Sequence, residues 1–199
     1  MLQIVKFPHP ALRYASRPVT EIDDSLREAI RVMFELMYKA EGIGLAANQV
    51  ALPFRFFLLN VTADPEQKDK EQVFINPEII KRHLSTEDEE GCLSLPGLYA
   101  KVRRAKKIRV RAYDLQGNLV EHEADELLSR AIQHEADHLE GKLFIDYLEP
   151  LVKRSAGDKL RAFELEYRKA QGDGAIAADN DLIKRLHEMP RPAADGFGL

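Results

Sequence analysis

The 199 residues are enough for one domain with a buried core plus a terminal appendage. A net charge of −4 argues against general nucleic-acid binding, and 45% hydrophobic with 31% charged residues is the balance of a soluble globular chain. No stretch stays apolar long enough to span a bilayer, and the lone Cys92 excludes an internal disulfide.

Residues 1–8 carry no signal or transit pattern, so the chain is expected to stay in the compartment that makes it. Asp23-Asp24-Ser25 reads as a helix N-cap ahead of Leu26, Ile30, Met33, Phe34 and Met37, which share one face and read as core. Gly42 is expected to stop that helix. In the following Ile43-Gly44-Leu45-Ala46-Ala47-Asn48-Gln49, Gly42 and Gly44 permit close approach of another backbone, and Gln49 offers an amide donor. Alone, Gly-x-Gly is better explained by a helix-stop turn, and no Gly-Lys-Ser/Thr follows to make a phosphate loop.

Residues 55–61 are an apolar run of strand length, and 64–71 a charged, exposed loop. Residues 73–76 and 78–84 read as strands interrupted by Pro77. The basic cluster 101–107 reads as a solvated strand edge. In 107–114, Ile108, Val110 and Ala112 alternate with Lys107, Arg109 and Arg111, a half-buried strand, and Gln116-Gly117-Asn118 turns it into a hairpin with 119–124.

A central helix follows over about 126–141, with Leu127, Ala131, His134 and His138 on one stripe and Gly141 at its end. Residues 151–170 form a charged amphipathic helix with Leu160, Phe163 and Tyr167 on one side, then a small-residue linker and a short helix at about 181–188. The last ten residues, from Pro190, are expected to be disordered, and the whole tail to be a solvated appendage. The division is 1–150 for a catalytic domain, 151–170 for the helix, and 171–199 for linker, short helix and flexible end. The class is α+β: mixed, mainly antiparallel sheets around the central metal-binding helix, with a C-terminal helix.

The chemistry gathers in Gln133-His134-Glu135-Ala136-Asp137-His138. On a helix, positions i and i+4 lie one above the other, so two imidazoles so spaced close on one metal ion. A surface helix with two histidines is the bland alternative, as a small buried hydrophobe is for Cys92. Taken together, Cys92, His134 and His138 supply a thiolate and two imidazoles with a fourth position open, the mark of a catalytic site. A water in that position titrates near neutrality, and Glu135 is placed to accept and pass on its proton.

Assembled, these stretches resemble the peptide deformylases. The resemblance is carried by Gly42-Ile43-Gly44-Leu45-Ala46-Ala47-Asn48-Gln49, by Glu90-Gly91-Cys92-Leu93-Ser94 and by the histidine helix, in the family's order. Phe7-Pro8-His9-Pro10-Ala11-Leu12-Arg13 and Gly141-Lys142-Leu143-Phe144-Ile145-Asp146 are similar too, so the match spans about 1–148. It implies removal of the formyl group from the formyl-methionine of nascent polypeptides in a bacterial-type cytoplasm. By the same resemblance Cys92, His134 and His138 ligate the metal, Glu135 is the catalytic acid/base, and Gln49 with the Leu93 N–H holds the oxyanion. The family's usual metal is Fe2+, with Zn2+, Ni2+ or Co2+ able to replace it; coordination chemistry alone points to zinc. The nascent chain is expected to pair with Ile43 and Gly44, and its methionine to enter a pocket formed partly by Leu127, Ala131 and His134, beside Gly91. The expected partners are that formyl-methionyl peptide and, transiently, the ribosome, with no membrane or specific nucleic acid, for a monomer or alternatively a dimer.

The chain departs from the family's pattern at Arg130 and Asp88, where apolar pocket residues are common; both are expected to alter the pocket rim or to face solvent. Leu95-Pro96-Gly97-Leu98-Tyr99 lacks the arginine some relatives carry, which concerns residues downstream of methionine. A metzincin-type endopeptidase fails because Phe144 occupies the place of its third histidine. A gluzincin would need Glu164 or Glu166 as a ligand and leaves the glycine loop unexplained. A silent binding module would be expected to have lost a ligand, Glu135 or Gln49, and all are present.

Overall fold

The structure, a computed structural model, describes residues 2–190; the disorder expected of the chain's end falls, from residue 191, outside them. The first long helix, α1 (Asp24–Lys39), starts where the Asp23 side chain accepts from the Leu26 N–H at 2.8 Å. It buries Leu26, Ala29, Ile30, Met33, Phe34 and Met37, the stripe read from spacing. Its end differs from expectation. The left-handed residue is Glu41, at φ 56°, while Gly42 is needed because a β-carbon there would stand 2.6 Å from Leu93 Cδ1.

Seven strands follow: β1 (Gly44–Ala46), β2 (Phe56–Leu59), β3 (Gln72–His83), β4 (Thr86–Gly91), β5 (Tyr99–Arg104), β6 (Lys107–Tyr113) and β7 (Leu119–Asp125). Five form an antiparallel sheet in the order β1-β2-β3-β6-β7, and β4 pairs with β5 in a separate hairpin. The two strands expected on either side of Pro77 are one strand. The register slips between Ile75 and Glu78, so the missing proline N–H falls at an irregularity.

The helix α2 (Glu126–Leu139) completes the core. On β2, Phe56 and Leu58 pack with the α1 stripe, whereas Phe57 and Leu59 pack with Phe74, Val110, Ile132 and Leu139. Successive side chains of a strand point to opposite faces, so a strand covered on both sides reads as an unbroken apolar run. A third cluster joins Leu12, Leu95, Val102, Phe144 and Ile145 to the C-terminal helices through Ala156, Leu160 and Phe163.

Those helices are α3 (Pro150–Ser155), α4 (Gly157–Gly172) and α5 (Asp179–Glu188), so the single helix expected over 151–170 is two. They are docked, not a free appendage. Tyr167 of α4 is buried and meets His9 edge-on, and Arg17 donates to the Leu186 and Met189 carbonyls at the end of α5, at 3.2 and 2.9 Å.

Candidate active site and metal centre

Helix α2 is fixed before its histidines by polar contacts. Gln133 accepts from the Ala105 N–H at 3.0 Å and donates to the Ala105 carbonyl at 2.8 Å, where Ser129 also donates at 2.9 Å. Those bonds pin the helix to the turn between β5 and β6. One and five residues on, His134 and His138 lie buried with ring centroids 5.0 Å apart.

Cys92 follows the last residue of β4, and its Sγ lies 3.3 Å from His138 Nε2. The three potential ligand atoms of Cys92, His134 and His138 all fall within 4.8 Å of one another. The other face of His134 is held by Glu90, whose Oε2 stands 3.0 Å from Nδ1. A carboxylate so placed fixes the imidazole's orientation and leaves Nε2 for the site. Burial opposes ionisation of Glu90, but hydrogen bonds from His134 and Arg104 outweigh it and hold its pKa at about 2. Burial and the charge of His134 push His138 far below the usual imidazole range, toward the neutral form that ligates. For His134 burial acts against the charged form, yet its hydrogen bonds to Cys92 and Glu90 raise it well above that range. A cation entering the site would displace such a shared proton.

Glu135 is 5% exposed, and burial raises its pKa to about 7. Its Oε2 has no hydrogen-bond partner among the described residues. Gln49 is held by its own Oε1, which accepts from the Ala46 N–H at 2.8 Å. Its Nε2 donates to Ser94 Oγ at 3.2 Å and lies 3.5 Å from Cys92 Sγ. Among the described residues the Leu93 N–H makes no hydrogen bond.

These groups border a cavity of about 440 Å³. Its lining includes Ile43, Gly44, Gly91, Leu127 and Ala131, the five residues expected to meet substrate, together with Gln49, Cys92, Leu93, His134 and Glu135. His138, the third member of the trio, is buried and reaches the site through the Cys92 sulfur. Leu127, half exposed, stands at the rim, and Tyr99 lies over Gly91 so closely that a β-carbon there would be 2.6 Å from Tyr99 Cε1.

Spacing alone assigned no role to Glu90 or Arg104. Glu90 sits two residues before Cys92 on β4, and Arg104 forks onto it at 2.9 and 3.0 Å while also pairing with Asp137. Arg104 therefore departs from the solvated edge expected of 101–107, although Lys101, Arg103 and Lys107 are exposed. Of the two departures, Asp88 faces solvent, whereas Arg130 is buried in the cavity wall and paired with Glu90.

The family model for polypeptide deformylase matches residues 1–154. A peptide deformylase of Rhodopirellula baltica is 41% identical over 187 residues, covering 94% of this chain and 92% of its own. Another, from Cellvibrio japonicus, is 48% identical over 162 residues, 80% of this chain and 94% of its own. The crystal structure of peptide deformylase from Plasmodium falciparum matches with a TM-score of 0.82 at 38% identity, covering 84% of this chain and 98% of that one. The match to the family model over more than three quarters of the sequence, together with relatives aligned along most of their own length, establishes that the chain belongs to the polypeptide deformylase family.

Proposed function

We propose that the protein is a metal-dependent hydrolase that removes the formyl group from the N-terminal formyl-methionine of nascent polypeptides and releases formate. The observation that carries this reading is the convergence, on one cavity, of a thiolate–imidazole trio, a buried carboxylate with an unpartnered oxygen, and the Gln49 amide. The donor set fits a borderline divalent cation, and the Glu90–His134 bond is the outer contact that such a site uses. When bound by Cys92, His134 and His138, the metal would acidify a water and polarise the formyl oxygen. Family membership favours Fe2+, with Zn2+, Ni2+ or Co2+ as substitutes.

The chain's own residues do the rest. Gln49 Nε2 and the Leu93 N–H donate to the formyl oxygen as charge develops on it. Glu135 takes a proton from the attacking water; as the C–N bond breaks, it passes that proton to the departing amine. The products are formate and a free amino terminus. Strand β1 is an edge of the five-stranded sheet, which suits main-chain pairing with substrate at Ile43 and Gly44. The methionine side chain enters beside Gly91, Leu127, Ala131 and His134. The setting we propose is a bacterial-type cytoplasm, with the enzyme a monomer that meets the ribosome transiently; among the described residues no helix is long and apolar enough to cross a membrane.

The test is formate release from a formyl-methionyl peptide by Fe2+-loaded protein prepared anaerobically, beside Glu135→Ala with its metal content verified. Turnover by the parent and near-complete loss in the variant are expected. A metal-loaded parent that releases no formate would sink the reading.

A further inference from the structure

We propose that Arg130 is a positioning residue of the metal site: it clamps the β4–β5 hairpin to α2 and so sets Glu90 and Cys92 against His134. The inference rests on the metal-dependent reading above and assigns a role to a side chain that the reaction itself does not use.

Arg130 stands one turn before His134 and is 7% exposed. Its Nη1 donates to Glu90 Oε1 at 2.7 Å and to the Val102 carbonyl at 2.9 Å, with the Asp88 carbonyl at 3.5 Å. Nη2 reaches the Thr86 carbonyl at 3.4 Å. Every one of these acceptors belongs to the β4–β5 hairpin, and they include main-chain oxygens of both its strands. Side-chain links also cross from hairpin to helix, Glu90 to His134 and Arg104 to Asp137, and Ser129 and Gln133 hold the main chain of Ala105 just beyond the end of β5. Arg130 extends that hold from the exit of β5 to main-chain oxygens within both strands, at Val102 on β5 and at Thr86 and Asp88 on β4, the strand that leads to Cys92. The hairpin carries Glu90 and leads directly into Cys92, while the helix carries both histidines, so a shift between the two bodies would part the ligand trio.

Charge reinforces the geometry. Glu90 and Asp137 face Arg104 and Arg130, two carboxylates against two guanidiniums around a buried centre. Glu90 Oε1 is shared by Arg104 Nε and Arg130 Nη1, and Oε2 by Arg104 Nη2 and His134 Nδ1. Removing Arg130 strips one donor from this buried carboxylate in a site with little water, which favours rearrangement. Loss of a ligand's direct outer partner lowers metal affinity by about 10–100-fold in general, and Arg130 acts one contact further out, through Glu90, so the low end of that range applies. The purely electrostatic effect has the opposite sign, since a less neutralised Glu90 would attract a cation more strongly. Metal affinity thus distinguishes a clamp from a charge.

The experiment titrates metal-free parent, Arg130→Met and Arg130→Lys with Co2+ against a competing chelator and records the cobalt absorption bands. Arg130→Met is expected to bind about tenfold more weakly with shifted bands, and Arg130→Lys to recover part of the loss by restoring a hairpin anchor. Binding by Arg130→Met equal to or tighter than the parent, with an unchanged spectrum, overturns the clamp; a raised KM in that case would assign Arg130 to the pocket wall alone. Should Arg130→Met fail to fold, Arg130→Gln, which keeps an amide donor, carries the same comparison. A parent that binds Co2+ but releases no formate defeats deformylation and leaves the affinity comparison intact. A parent that binds no Co2+ overturns both.

Discussion

Gly44 and Glu135 are separated by 91 positions in the chain, yet a β-carbon on Gly44 would stand 2.5 Å from Glu135 Oε1 and 2.6 Å from Leu59 Cδ2. The glycine is required by the carboxylate that faces it, and the carboxylate owes its place to the glycine's missing side chain. Gly44→Ala is therefore expected to displace Glu135 and lower kcat by about 10²–10⁴-fold, the span of a positioned acid–base group. Bound metal, measured by elemental analysis, should remain. A Gly44→Ala enzyme with parental kcat would refute this coupling.

Gln49 has two tasks that a substitution separates by readout. Gln49→Leu removes the donor aimed at the developing charge, for an expected loss of about 10²–10³-fold in kcat. It also leaves the buried Ala46 N–H without its acceptor, lowering stability by about 1–3 kcal/mol in chemical denaturation. Reduced stability with unaltered kcat would show that the amide serves only the loop.

His9 gives a pH prediction away from the metal trio. Burial lowers its pKa below the ordinary value of 6.5, and the nearby charge of Asp179 only partly opposes this. The unfolded chain then binds the extra proton more readily, so the contribution is present above about 6.5 and is lost as pH falls from there through the folded pKa. Denaturation midpoints measured from pH 8 to pH 5 should decline less in His9→Gln than in the parent. Parallel curves would contradict the prediction.

Arg17 places a guanidinium at the C-terminal end of α5, where the helix carbonyls carry partial negative charge. Arg17→Ala is expected to release α5 first, seen as faster proteolytic cleavage after Gly172 with formate release changed less than twofold. Equal cleavage rates in parent and variant would rule out this anchor.

How much was legible in the sequence varies from residue to residue. The α1 stripe, the β6–β7 hairpin and the histidine pair follow local periods, since side chains three or four apart on a helix, or alternate on a strand, share a face whatever surrounds them. The apolar run in β2 was equally plain, but only packing showed that α1 covers one of its faces and α2 the other. At Gly42 the sequence supports a helix stop and a close approach; its N–H does bond back to the Met37 carbonyl, but what approaches is the Leu93 side chain, far along the chain, and not a backbone.

The sequence by itself determined α1, the β6–β7 hairpin, α2, the motif set and the family, because these depend on residue type and spacing along one chain. Tertiary structure decided that Arg104 turns inward from a basic cluster, that Arg130 clamps a hairpin, and that Glu90 orients His134. The physical reason is common to all three. A charged side chain goes inside only where a partner compensates its lost hydration. Here those partners lie 14 to 44 positions away, beyond what any local pattern encodes.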